Sequence, residues 1–498
     1  MKAPILLLLF LAPVLSAQTA FPSLDADPRA AGFVRGVSSG ARNAWQDLAR
    51  AALWASSVNS GAAQEERAAG FYERVSAAAA ELAAAPDLPS DPRARGEYVL
   101  TFIHRRFLKG YSEYQTRLDE IFVSGRYNCV SSAVLYLVLG MSAGLDIGGV
   151  MTKDHAFASV RTGGASIDVE TTNPYGFDPG NRKDFHDGFG RTTGYAYVPA
   201  RNYRDRAAIN AVELVSLILS NRIADLERAN RYAEAVPLAI NRAALLNADS
   251  GAGASPPSNA DRAAFFEDPR QDMMNRLFNY GAYLVRANRD DEAIAWAEYA
   301  GARYEDGERW QEFVYAAANN KLVRLIRARK ISEARAALET LRPKLSDPNY
   351  RACDSMVLEA ETADMVNGIK NPGDSQRALA FIEANGERLP EKIRTDFRDG
   401  AVLKEGERIG RTGDWRGAMN WMSASIERYG ANSPFNSALR TFRQNVIGSL
   451  HNQFAALFNK RDYAGAKASV QKSLEEFPAD AQLIRDLNMV NRVLEQSR

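Results

Sequence analysis

The run Cys129–Gly140, CVSSAVLYLVLG, holds no charged side chain and follows the turn-prone Gly125 and Asn128. Its length and composition suit a buried helix, around which the rest of the chain is organised. That helix would begin at a cysteine. A thiol in a first helical turn lies beside N–H groups with no partner inside the helix and at the positive end of the helix dipole. Both favour the thiolate and make the sulfur nucleophilic near neutral pH.

His155 follows 26 residues later in DHAFASV. Alternation puts His155, Phe157 and Ser159 on one face of a strand and Ala156 and Ala158 on the other. Thr162, Gly163 and Gly164 predict a turn, and SIDVE predicts the returning strand, with Asp168 and Glu170 sharing a face opposite Ile167 and Val169. A thiol, an imidazole and a carboxylate in this order supply a nucleophile, a base that takes its proton and holds it as an ion pair, and an acid that fixes the imidazole's tautomer.

These residues resemble the transglutaminase-like superfamily of papain-type cysteine enzymes over about residues 92–200. The segment YVLTFIHRRFLKGYSEYQ is similar to the helix upstream of the family's nucleophile, Cys129 with Ala133 to its cysteine helix, and His155 with Phe157 to its histidine strand; Asp168 falls where its acid is expected. The resemblance implies an α+β, papain-like domain that acts on amide bonds by hydrolysis or acyl transfer through Cys129, His155 and Asp168, without a cofactor. Two positions depart from the family. Tyr127 replaces a frequent glycine two residues before the cysteine, which bears on the oxyanion-binding backbone, and Val169 replaces a common proline after the acid. If Gly163-Gly164 is a two-residue turn, His155 lies opposite Thr172 and Glu170 is nearer to it than Asp168. Asp168 is ranked first as the acid and Glu170 second.

With 498 residues the chain is long enough for two or more cores. Its 62 basic and 61 acidic side chains leave a formal net charge of +1, so no global field recruits nucleic acid. Met1-Lys2, the apolar run from Ile5 to Leu15 and the small Ser16 and Ala17 read as a secretory signal peptide over residues 1–17, which predicts an exported, periplasmic or secreted protein with no stable membrane insertion after cleavage. Two cysteines are too few for a disulfide framework, and Cys353 reads as a small buried hydrophobe. None of the four histidines is spaced with another, or with cysteine, as metal ligands are, so no zinc site is expected. GFGRTTG lacks the Gly-Lys-Ser/Thr ending of a phosphate-binding loop, and His186 beside it reads as a surface residue.

Residues 18–91 read as an N-terminal helical region closed by the proline-rich PDLPSDP, and 92–205 as the domain with the cysteine, its loop PGNRKDFHDGFGRTTG ending in a last strand at YAYV. From 206 to 498 strands give way to recurring helices. Ala235, Ala293, Ala334, Ala378, Ala418 and Ala466 mark a repeated helix start at intervals of 58, 41, 44, 40 and 48 residues, the longest containing the insertion ADSGAGASPPSNAD. Units of about forty residues predict an all-α solenoid of helical hairpins, similar to degenerate tetratricopeptide repeats. Trp296, Trp310, Trp415 and Trp421 read as packing between hairpins rather than as a grip on a partner. The expected function is an exported thiol enzyme with a protein or peptide substrate, its repeats docking an envelope partner. The alternative is a catalytically silent scaffold that binds proteins through those repeats.

Overall fold

The helix Cys129–Ser142 is capped as its sequence allows: the Asn128 side chain accepts the Ser131 N–H at 3.0 Å, and the Ser131 hydroxyl accepts the Asn128 N–H at 3.0 Å. Each side chain thereby satisfies a backbone donor of the other. Every residue from Cys129 to Gly140 is buried. A helix apolar all round needs a neighbour on each side, and helices Ala44–Ser57, Tyr72–Ala83, Pro92–Arg106, Leu118–Ser124 and Ala211–Arg228 supply them together with a sheet. Burial of each leucine or valine of such a helix contributes about 1.5–3 kcal/mol.

This computed structural model describes residues 20–38, 44–180, 183–199, 201–202, 205–250, 268–304 and 306–496. The expected leader at 1–17 and residues 251–261 of the Gly/Ser/Pro-rich insertion lie outside them. Strands β1 (Gly110–Tyr111) and β2 (Arg126–Tyr127) form a short parallel pair. Strands β3 (Asp146–Met151), β4 (Ala156–Thr162), β5 (Ala165–Val169) and β6 (Ala207–Ile209) form an antiparallel sheet of order β5-β4-β3-β6. Gly163 and Gly164 make the β4–β5 turn with φ of 57° and 80°, the left-handed conformation that a two-residue hairpin requires at both positions. The turn pairs Thr162 with Ala165 and Ser159 with Asp168.

The segment after β5 departs from the expected loop and strand. Residues Lys183–Thr193 are helical despite three glycines nearby, because Phe185 and Phe189 share a helix face that packs with Phe157, Val150 and Tyr197. YAYV is irregular, and the strand that closes the sheet is β6 instead.

The expectation of an α+β, papain-like domain followed by a solenoid is overturned by these proportions. Among the described residues 71% are helical and 6% are in strands. The sheet is a four-stranded element inside a mainly helical unit, because the helices before residue 92 and after residue 210 pack directly on the Cys129 helix. The two compact units divide between Trp310 and Gln311, well past the change in sequence character near residue 206.

In the second unit, helices from Ile331 to Gln496 pack each on the next in chain order. Ala334, Ala378, Ala418 and Ala466 are buried at the fourth or fifth residue of their helices, where a small side chain lets the neighbouring helix approach. The same holds for Ala235 and Ala293 in the first unit. Trp296 is fully buried and donates to the Leu277 carbonyl at 3.0 Å, and Trp421 donates to that of Val402 at 2.8 Å; Trp310 is buried and Trp415 packs against the cores of the second unit. Cys353 is a buried free thiol, pushed up to about 11 by that burial.

Candidate functional site

Cys129 opens onto a cleft of about 310 Å³ within the first unit, with His155 on its wall. The capping box occupies the N–H groups of Asn128 and Ser131, and Ser132 N–H bonds the Asn128 carbonyl. The N–H groups of Cys129 and Val130, in the same first turn and on the cleft wall, are left to a ligand. No residue before Tyr111 lines the cleft, so the N-terminal helices support the Cys129 helix from outside it.

His155 stands one residue before β4 and Glu170 one residue after β5, at the same end of the hairpin. The paired register ends at Ala158 and Val169 and the chain turns at Thr171 and Thr172, which leaves Glu170, the first residue after β5, within reach of the imidazole. His155 Nε2 donates to Glu170 Oε2 at 2.6 Å, both side chains being buried. The other carboxylate oxygen, Oε1, accepts the Thr172 hydroxyl at 2.8 Å and its N–H at 3.2 Å. Burial alone would discharge the imidazole, but the charges of Glu170 and Cys129 outweigh it and raise its proton affinity well above the usual histidine range. Nδ1 is buried without a hydrogen bond; the thiol acts on the ring's charge from nearby, yet does not close a bond to it within normal geometry.

Asp168, ranked first from the sequence, is committed elsewhere. Arg206 grips both its oxygens at 2.7 Å, and Tyr197 donates to Oδ2 at 2.5 Å. The carboxylate therefore anchors the segment before β6 to β5, and the residue placed against His155 is Glu170. Two residues along a strand keep the same face but move about 7 Å, enough to separate the two roles.

Several positioning residues were not read from the sequence. Ser132, on the Cys129 helix, shares a hydrogen bond of 2.8 Å with Thr171, and His104 Nε2 donates to the Thr171 carbonyl at 3.0 Å. His104 is held neutral, its pKa lowered to about 4 by burial, against a smaller rise from that bond. Tyr127 reaches the Thr172 carbonyl at 3.3 Å, and Glu170 N–H bonds the Gly176 carbonyl at 2.8 Å. Tyr195 stacks on His155 with centroids 5.7 Å apart, Phe189 meets its edge at 5.1 Å, and the Tyr195 hydroxyl donates to Glu113 at 3.1 Å. Apart from Gly176, six residues after Glu170, these partners are far in sequence from what they support, and only the hairpin count carried a signal, for Glu170. His186 bonds the Gly180 carbonyl at 3.2 Å and contributes nothing to the cleft.

Among the described residues no group of three or more His, Cys, Asp or Glu side chains could hold a metal, and no helix is long and apolar enough to cross a membrane. No protein-family model matches the chain, and no curated protein matches it. A solved structure that is similar is that of menin, whose crystal structure reveals the binding site for the Mixed Lineage Leukemia (MLL) protein; it is 13% identical, with a TM-score of 0.29, covering 78% of this chain and 94% of that one. The resemblance to the transglutaminase-like superfamily and to tetratricopeptide repeats is thus corrected: neither family's model matches, and the local order of cysteine, histidine and acid does not carry a family's fold with it.

Proposed function

We propose that the chain is a thiol-dependent acyl-transfer enzyme, a hydrolase or acyltransferase, in which Cys129 is the nucleophile, His155 the base and Glu170 the acid that orients it. The observation that carries this reading is His155 itself. A buried imidazole with Nε2 bonded to a buried carboxylate and Nδ1 left without a partner, in the same cleft as a cysteine at a helix start, is arranged to exchange a proton with that thiol.

The chemistry follows from those positions. The Cys129 proton passes to His155 Nδ1, and the thiolate attacks a carbonyl carbon, forming the C–S bond while the carbonyl electron pair moves to oxygen. The N–H groups of Cys129 and Val130 meet that oxyanion. Collapse breaks the bond to the leaving amine, which takes the proton from Nδ1, and the thioester is released by water or by a second amine whose proton returns to Nδ1. An open cleft suits a peptide-borne carbonyl, and with a leader at residues 1–17 the reaction takes place outside the cytoplasm. The geometry around His155, rather than any likeness to a known enzyme, supports this reading.

Alkylation by iodoacetamide at pH 6, followed by mass analysis of peptides, tests it. Cys129 is expected to react at least tenfold faster than Cys353, and p-nitrophenyl acetate to leave one acetyl group per chain, on Cys129, which Cys129→Ala abolishes. Equal, slow labelling of both thiols would leave the chain without an activated nucleophile.

A further inference from the structure

The N–H groups of Cys129 and Val130 are backbone donors; the cleft also offers a side-chain donor. Strand β1 pairs with β2 so that Tyr111 lies beside Tyr127, two residues before Cys129, and the Ser112 N–H to Tyr127 carbonyl bond of 2.7 Å holds that register. The short parallel pair places the Tyr111 ring on the cleft wall with Cys129, packed edge-on against Tyr127 at 6.1 Å. Among the described residues the Tyr111 hydroxyl has no hydrogen-bond partner.

Most other polar side chains of the cleft are spent. The Asn128 amide donates to the Glu113 carbonyl and its oxygen caps Ser131, Tyr195 donates to Glu113, Asn221 donates to Thr116, and Arg228 pairs with Asp225. Lys153 and Tyr114 are exposed, and Ser220 stands on the helix Ala211–Arg228, whereas Tyr111 is tied by main-chain pairing to the residues that lead into Cys129. Burial, and then the nearby Cys129, push the Tyr111 hydroxyl well above the usual phenol range, so it stays a donor at any pH at which the enzyme would work.

We propose that Tyr111 is a catalytic residue whose phenolic O–H donates to the oxyanion formed on attack by Cys129, completing a site with the Cys129 and Val130 N–H groups. This rests on the acyl-transfer reading above. In the ground state the hydroxyl has little to bind; as the carbonyl oxygen gains charge, a short neutral-donor bond forms in a site partly shielded from water.

Tyr111→Phe keeps the ring and removes only the donor. Three measurements on full-length protein separate the outcomes: alkylation of Cys129 by iodoacetamide, which passes through no oxyanion; acylation by p-nitrophenyl acetate; and reversible inhibition by the peptide aldehyde acetyl-glycyl-glycinal, whose adduct carries the oxyanion oxygen. The expected result is alkylation within about threefold of wild type, with acylation and aldehyde affinity each lowered about 10²-fold. Wild-type acylation in the variant overturns the proposal. Equal losses in alkylation and acylation also overturn it, since Tyr111 would then act on the thiol. If wild-type Cys129 is itself alkylated no faster than Cys353, the acyl-transfer reading fails, and this assignment with it.

Discussion

Replacing Glu170 by glutamine exchanges one carboxylate oxygen for an NH2 group and asks the whole site to choose. The carboxylate accepts three hydrogen bonds, two from Thr172 on Oε1 and one from His155 on Oε2. Glutamine keeps one oxygen. Left with Thr172, that oxygen retains two bonds and turns the NH2 group toward Nε2, which must then accept, so the ring proton moves to Nδ1 and faces Cys129 where a lone pair is needed. Turned to His155, it keeps one bond and sets an NH2 against the Thr172 N–H. One neutral bond is worth about 1 kcal/mol, so the unproductive tautomer wins by about fivefold. Loss of the charge-assisted bond to the imidazolium removes about 1.5–3 kcal/mol more, tenfold or beyond. Glu170→Gln should therefore lower acylation by p-nitrophenyl acetate by about 10²–10³, and alkylation of Cys129 at pH 6 should fall as well, with a melting curve to show the fold intact. A loss below threefold in this variant, alongside a large one in Asp168→Asn, would hand the acid's role back to Asp168 and refute the reasoning from hydrogen-bond geometry.

The remaining predictions concern the supports of the site. Asp168→Asn breaks the two-oxygen grip on Arg206 and should lower unfolding stability by about 3 kcal/mol, as expected when a largely buried ion pair loses one partner, while alkylation of Cys129 changes little; chemical denaturation and iodoacetamide labelling read the two effects. Gly176→Ala should reduce acylation at least tenfold, because the new Cβ would stand 2.0 Å from the Glu170 carbonyl oxygen and force the turn that carries Glu170 to open; a wild-type rate would show that the turn yields without moving the acid. The buried His155 and the half-buried His104 bend stability in opposite directions. An unfolded histidine titrates near 6.5, and folding raises His155 to about 10, so its contribution is complete below 6.5 and is lost as pH rises through that value. His104 is lowered to about 4, so its contribution is complete above 6.5 and is lost as pH falls toward 4. Denaturation across pH should show His155→Gln flattening the alkaline limb and His104→Gln the acid limb, and an unchanged slope in either variant would contradict the assigned environment.

Local pattern alone determined the parts of this protein that depend on near neighbours in sequence. The charge-free run after Cys129 had to be a buried helix, because no face of it could meet water, and Asn128 and Ser131 cap it by reach along the chain. Two adjacent glycines with positive φ set the β4–β5 register, and with it the nearness of Glu170 to His155. The regularly placed alanines marked helix starts for the same reason, since close helix packing excludes larger side chains there. Tertiary structure decided what sequence spacing does not encode. Asp168 and Glu170 look equivalent on one strand face, and only the arrival of Arg206, 38 residues on, takes Asp168 out of the site. The helix at Lys183–Thr193 exists because its phenylalanines find Phe157 and Tyr197, against the preference of its glycines. Likewise the proportion of helix to sheet was settled by which distant segments came to cover one buried helix, an outcome of long-range packing that three correctly ordered side chains leave open.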